Sequence, residues 1–176
     1  MSQVSRHIHI NGIVQGVGFR PFIYNRALKH NLRGWVRNST SGVDIEITGT
    51  GSDLETFCRE ISESPPPLSQ IDSIEVKEIP FREFSDFSIV NSHNQSSDFI
   101  PISPDVAICK DCRSELFNPA DRRHLYPFIN CSNCGPRFSI IQDIPYDRPN
   151  TSMSGFEMCE ECREEYENPL DRRFHA

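Results

Sequence analysis

Residues 7–14, His-Ile-His-Ile-Asn-Gly-Ile-Val, alternate polar and apolar side chains through their first half, the period-two pattern of a half-buried strand. A glycine-bearing loop follows, and Pro21 suits the first turn of a helix whose Phe19, Phe22, Ile23 and Ala27 share one face. Trp35 and Val36 mark a second strand and Ser39 to Gly42 a turn, while Val43-Asp-Ile-Glu-Ile-Thr48 alternates cleanly as a third. Ser52 or Asp53 can cap a second helix, in which Leu54, Phe57, Cys58 and Ile61 fall at i, i+3, i+4 and i+7. Pro65 to Pro67 end that helix, and strands are expected around Ile74–Ile79 and Phe87–Val90.

The resulting order, β-α-β-β-α-β, predicts an α+β fold of the ferredoxin-like, split βαβ kind over residues 1–91. Residues 92–104 are rich in Ser, Asn and Pro without periodicity and read as a linker. Residues 105–176 form a second, zinc-finger-like region containing an internal repeat. Cys109-Lys-Asp-Cys-Arg-Ser-Glu-Leu-Phe-Asn-Pro-Ala-Asp-Arg-Arg123 returns fifty positions later as Cys159-Glu-Glu-Cys-Arg-Glu-Glu-Tyr-Glu-Asn-Pro-Leu-Asp-Arg-Arg173. Both cysteines, Asn-Pro and Asp-Arg-Arg keep register without a gap, which chance similarity does not produce.

Charge narrows the partners. Net charge is −7, with 9 Lys/Arg against 12 Asp/Glu in residues 1–104 and 9 against 13 in residues 105–176. So acidic a balance argues against nucleic acid bound through general electrostatics. No apolar run approaches a membrane span, and the N-terminus lacks the hydrophobic core of a signal peptide, so a soluble, cytoplasmic protein is expected. Six of the seven cysteines form Cys-x-x-Cys pairs, which in that compartment read as metal ligands before disulfides.

The first pair of candidate sites is chemical rather than architectural. Gly12-Ile-Val-Gln-Gly-Val-Gly-Phe-Arg20 carries a strand through a glycine turn into a helix, so that loop N–H groups and a guanidinium converge. Glycines at 16 and 18 allow positive φ and close approach of an anion, although a turn needing glycine for shape alone has the same signature. The loop lacks the Gly-Lys-Ser/Thr ending of a Walker loop, and proline stands at 21 where a dinucleotide loop wants glycine, so a small phosphoryl compound fits better than a nucleotide. Gln15, Gly16, Val17, Gly18, Phe19 and Arg20 are the candidate phosphate ligands. Asn38, at the end of Gly34-Trp-Val-Arg-Asn38, is brought toward Arg20 by the strand order; alone it also reads as a turn former.

The second is a metal centre. Cys109, Cys112, Cys131 and Cys134, spaced Cys-x2-Cys-x18-Cys-x2-Cys, can close a tetrahedral Zn²⁺ site without an open position, so its role is structural. Cys159 and Cys162 supply half of another; His175 as a further ligand, or cysteine pairs shared between the copies, are open alternatives. The same spacing in the second copy would put cysteines at positions 181 and 184, so the chain is expected to be a piece of a longer protein cut inside its second finger. A redox role for the pairs is the rival reading. Cys58 reads as a small buried hydrophobe, and Asp-Arg-Arg at 121–123 and 171–173 as salt-bridged structural elements.

Gly-x-Val-Gln-Gly-Val-Gly-Phe-Arg followed by Gly-Trp-Val-Arg-Asn resembles the acylphosphatase family over residues 5–91. The resemblance implies hydrolysis of an acyl phosphate, with Arg20 and the amides of residues 15–19 holding the phosphoryl group and Asn38 orienting the attacking water. Joined to fingers carrying Asn-Pro-x-Asp-Arg-Arg, the whole chain resembles the N-terminal part of the carbamoyltransferases that mature nickel–iron hydrogenases. That implies carbamoyl phosphate as substrate, ATP used by later domains, and a HypE-type acceptor protein for the carbamoyl group that becomes a cyanide ligand. The alternative function is a non-catalytic module that binds a phosphate compound, with the zinc region as spacer or docking surface.

Overall fold

A computed structural model describes residues 3–39, 41–90, 104–135, 137–143 and 148–175. The chain divides into two compact units, residues 1–15 with 19–101, and residues 16–18 with 102–176. Apart from Pro104, the linker expected over 92–104 lies outside the described residues.

The first unit is an α+β fold of the ferredoxin type. Its strands are β1 (Gln3–Ile13), β2 (Arg33–Ser39), β3 (Gly42–Thr50), β4 (Gln70–Ile79) and β5 (Phe87–Ile89), with α1 (Phe19–Lys29) and α2 (Gly51–Glu63) between them. They form one sheet in the order β4-β1-β3-β2-β5, antiparallel except for the β2/β5 pair. Register sets Ile8 opposite Ile45 and Val76, and Ile10 opposite Val43 and Ile74. Alternation then decides the faces: Ile8, Ile10, Val36, Ile45 and Ile47 are fully buried, while His7, His9, Asp44 and Glu46 point the other way. Phe19, Ile23 and Ala27 of α1 and Leu54, Phe57 and Ile61 of α2 complete the core, each large side chain contributing roughly 1.5–3 kcal/mol by leaving water.

Helix α1 starts at Phe19 with Pro21 in its first turn, as expected, where its missing N–H has no intrahelical acceptor to lose. Two details of α2 differ from the expectation. The cap of α2 is Thr50, not Ser52 or Asp53: β3 runs straight into the helix, and the Thr50 hydroxyl accepts from the Asp53 N–H at 3.3 Å. Cys58 is only half-buried, beside the Leu54/Phe57/Ile61 stripe rather than in it, and burial pushes its thiol pKa up.

In the second unit, the helices are α3 (Lys110–Phe117) and α4 (Glu160–Glu167), with single 3-10 turns at Phe138–Ile140 and Arg148–Asn150. Its buried apolar cluster is small, namely Cys112, Ile129, Cys131 and Cys134. A cluster of that size falls short of the burial that stabilises a domain alone, which calls for a further cross-link. No helix among the described residues is long and apolar enough to cross a membrane.

Candidate functional site

The glycine loop is shaped by two left-handed residues. Gly16 and Gly18 have φ of +70° and +72°, values that cost an L side chain on the order of 1 kcal/mol, and Val17 between them is fully buried. Phe19 then anchors the helix start in the core, which leaves Arg20 as the second residue of α1, half-buried.

Gln15 does something the sequence did not disclose. Its side chain is buried, and Nε2 donates to the Ser39 carbonyl at 2.7 Å and the Gly42 carbonyl at 2.8 Å. The loop is thereby stitched to the turn end of the β2–β3 hairpin, where Asn38 sits opposite Val43. Asn38 is 2% exposed, yet neither Oδ1 nor Nδ2 has a hydrogen-bond partner among the described residues. An amide buried in that state costs about 1–3 kcal/mol, so it calls for a small polar occupant beside it.

In the second unit the sulfurs of Cys109, Cys112 and Cys134 lie within 4.8 Å of one another. Cys134 Sγ is 3.6 Å from Cys109 Sγ and 3.9 Å from Cys112 Sγ. Tetrahedral thiolates bound to one metal at the usual length stand about 3.8 Å apart, so the three fit such an ion. Cys131 belongs to the same buried cluster but stands outside the trio; its sulfur accepts the Cys109 N–H at 2.9 Å. The Cys112 N–H points at Cys109 Sγ at 3.5 Å. Ser132, Asn133 and Cys134 take φ of +57°, +56° and +65° in succession, an uncommon run that turns the chain back toward the first cysteine pair. Burial pushes the Cys134 thiol pKa well up, against the pull of the Arg172 charge.

The repeat is as visible in the backbone as in the sequence. Cys109 and Cys159 cap their helices at φ/ψ of −65°/167° and −64°/166°, and Asn118 and Asn168 close them at −87°/111° and −85°/109°. Each asparagine accepts the N–H two residues on at 3.0 Å, and Asp121 and Asp171 each accept an arginine N–H at 2.7 Å. Leu125 and His175 occupy the same left-handed position, φ +55° and +56°, so His175 is the structural counterpart of an apolar residue, stacked on Tyr166 and Phe174. The sulfur trio lies within the first copy, not between copies.

The acylphosphatase family matches residues 6–89, and the HypF finger matches residues 108–141 and 158–176. An acylphosphatase of Leuconostoc mesenteroides is 41% identical over 83 residues, covering 47% of this chain and 92% of that protein. The carbamoyltransferase HypF of Synechocystis is 45% identical over 149 residues, 85% of this chain but 19% of the relative. A crystal structure of full-length HypF in a phosphate- and nucleotide-bound form superposes with a TM-score of 0.91 at 57% identity, covering 99% of this chain and 23% of that one. The chain thus spans about a fifth of the length of the carbamoyltransferases it matches.

Proposed function

The chain belongs to the acylphosphatase family through residues 6–89 and carries the HypF finger beyond them, and from that premise we propose that it hydrolyses an acyl phosphate, carbamoyl phosphate in particular. The observation that carries this reading is the buried amide of Asn38, unpartnered among the described residues, at the hairpin end to which Gln15 ties the glycine loop. That amide is suited to hold a water molecule, and the positive φ of Gly16 and Gly18 suits the loop to the close approach of an anion.

In this reading the N–H groups of residues 15–19 and the Arg20 guanidinium bind the non-bridging oxygens and neutralise their charge. Asn38 orients the water. Its oxygen forms a bond to phosphorus, the bond from phosphorus to the carbamoyl oxygen breaks, and its electron pair leaves with carbamate; the water's proton passes to the phosphate released. Carbamate is a good leaving group, so positioning and electrostatics suffice and no strong base is needed.

We assign the cysteine cluster to structural Zn²⁺, held by Cys109, Cys112 and Cys134 with Cys131 as the fourth thiolate, and Cys159 and Cys162 to the second finger. A bound zinc supplies a cross-link and no open coordination position. Within the longer proteins this chain resembles, carbamate formation would be the first step of carbamoyl transfer toward a cyanide ligand of nickel–iron hydrogenase. ATP would be consumed by later domains and a HypE-type protein would accept the group.

The test is phosphate release from carbamoyl phosphate, corrected for spontaneous decay, by the chain and by Arg20→Ala. Release that falls at least 100-fold with Arg20→Ala supports the assignment, a loss on the scale of removing a transition-state donor. No release above decay from folded, zinc-loaded protein overturns it in favour of a binding module.

A further inference from the structure

Each copy of the repeat holds the other's cysteines. Arg172, from the second copy, points Nη1 at Cys134 Sγ at 2.7 Å and at Cys112 Sγ at 3.3 Å. Arg122, from the first copy, points Nη1 at Cys162 Sγ at 3.3 Å and at Cys159 Sγ at 3.7 Å. Each pair of arginines is gripped by a carboxylate one helical turn beyond the second cysteine of the opposite copy. Glu115 binds Arg172 and Arg173, and Glu165 binds Arg122 at 2.9 Å and Arg123. The fifty-residue register maps Cys112 onto Cys162, Glu115 onto Glu165 and Arg122 onto Arg172, so one sulfur contact and the carboxylate grip are equivalent in the two half-clasps; the second sulfur differs, Cys134 for Arg172 and Cys159 for Arg122.

We propose that Arg172 and Arg122 are positioning residues that act on the metal through the ligand sulfurs, and that this reciprocal clasp makes metal affinity at each finger depend on the Asp-Arg-Arg element of the other. The inference rests on the zinc assignment above. Four thiolates on a dication leave a net charge of −2, and a half-buried guanidinium donating to two of the sulfurs offsets part of it. The carboxylate fixes the orientation: with Nη2 of Arg172 bound by Glu115, Nη1 is left aimed at sulfur. A single arginine near a cysteine is a chance contact. An arginine-to-sulfur contact made in both directions, with Cys112 and Cys162 and the carboxylates Glu115 and Glu165 at equivalent positions, is a built feature.

The experiment uses the chain with Cys159 and Cys162 replaced by serine, so that the first cluster alone is read. Zinc is titrated against a chromophoric chelator, and the sulfur-to-metal charge-transfer band is recorded with Co²⁺ in place of zinc. Arg172→Ala should weaken zinc binding about tenfold or more, the usual effect of losing a hydrogen bond to a metal ligand. It should also move the Co²⁺ band to lower energy, because sulfur lone pairs freed of an N–H donor lie higher. Arg172→Lys, which keeps the charge but loses the fork, should fall between. Should Arg172→Ala fail to fold, Glu115→Gln, which releases the guanidinium without removing it, must give the same direction of change in both readouts. Zinc affinity within twofold of the parent and an unmoved band, in Arg172→Ala or in Glu115→Gln, overturn the clasp while leaving the zinc assignment intact. A parent that binds no zinc overturns both.

Discussion

The Gln15 side chain donates to the Gly42 carbonyl at 2.8 Å, and so fastens the glycine loop to the β2–β3 hairpin from inside the protein. Its second bond, to Ser39, flanks the same turn. Gln15→Leu keeps the volume but leaves two carbonyls without their donor, so it should cost about 1–3 kcal/mol in urea unfolding. Because the loop is then untied from the strand bearing Asn38, phosphate release should drop as well. Full stability in Gln15→Leu would mean that the strut contributes nothing.

Asn38 should behave in the opposite way. Its amide is buried without a protein partner among the described residues, so Asn38→Leu removes an unsatisfied group instead of a bond. Stability should hold, or rise by about 1 kcal/mol, while acyl phosphate turnover falls by at least roughly 100-fold. Paired urea unfolding and phosphate-release assays on the one variant decide the matter; a loss of stability with turnover retained would make Asn38 a structural residue.

What could be read in advance was what repeats locally. The alternation of Val43–Thr48 and the spacing of Leu54, Phe57 and Ile61 disclosed β3 and α2, because one buried face imposes its period on consecutive residues. The cap of α2 escaped because Thr50 is at once the last strand residue and the helix cap. The Gln15 strut escaped because its acceptors lie 24 and 27 positions away, and nothing in the local pattern selects them. The repeat at 109–123 and 159–173 was plain in the sequence, yet similarity between two copies does not say which copy each arginine faces. Only the packing shows the exchange.

Acid should loosen the contact between the two helices of the first unit. Glu60 on α2 meets Lys29 Nζ at 2.6 Å, Arg26 Nη1 at 3.1 Å and His30 Nε2 at 3.2 Å. The hydrogen bond from Lys29, then the His30 imidazole beside it, holds its carboxyl down at about 2, against an ordinary 4.5. A carboxyl depressed by folding stabilises the native state above its ordinary pKa and ceases to do so as pH falls through the folded value. The difference in urea midpoint between wild type and Glu60→Gln should therefore be full above about pH 5 and close as pH approaches 2. High salt should narrow it at neutral pH, since Lys29 is exposed and the other groups are half-buried, which leaves the pairs partly screened. A gap independent of pH would refute the assignment.

Metal removal should act on one unit and spare the other. The second unit buries little beyond Cys112, Ile129, Cys131 and Cys134, three of them sulfurs that a metal would hold together, whereas the first is built on Ile8, Ile10, Ile45, Ile47, Phe57 and their neighbours. Without the cross-link, the left-handed run Ser132–Cys134 keeps only side-chain bonds such as Ser132 to Asp105 and Arg172 to Cys134, and the buried cluster is too small to order the chain alone. Hydrogen exchange with and without a strong chelator tests this residue by residue. Amides of α3 and of the 131–135 turn should lose protection on chelation, and Cys134→Ser should reproduce that loss with metal present. The amides of β1, β3 and α2 should exchange as before. Protection of α3 unchanged by the chelator would show that the thiol cluster stands without metal.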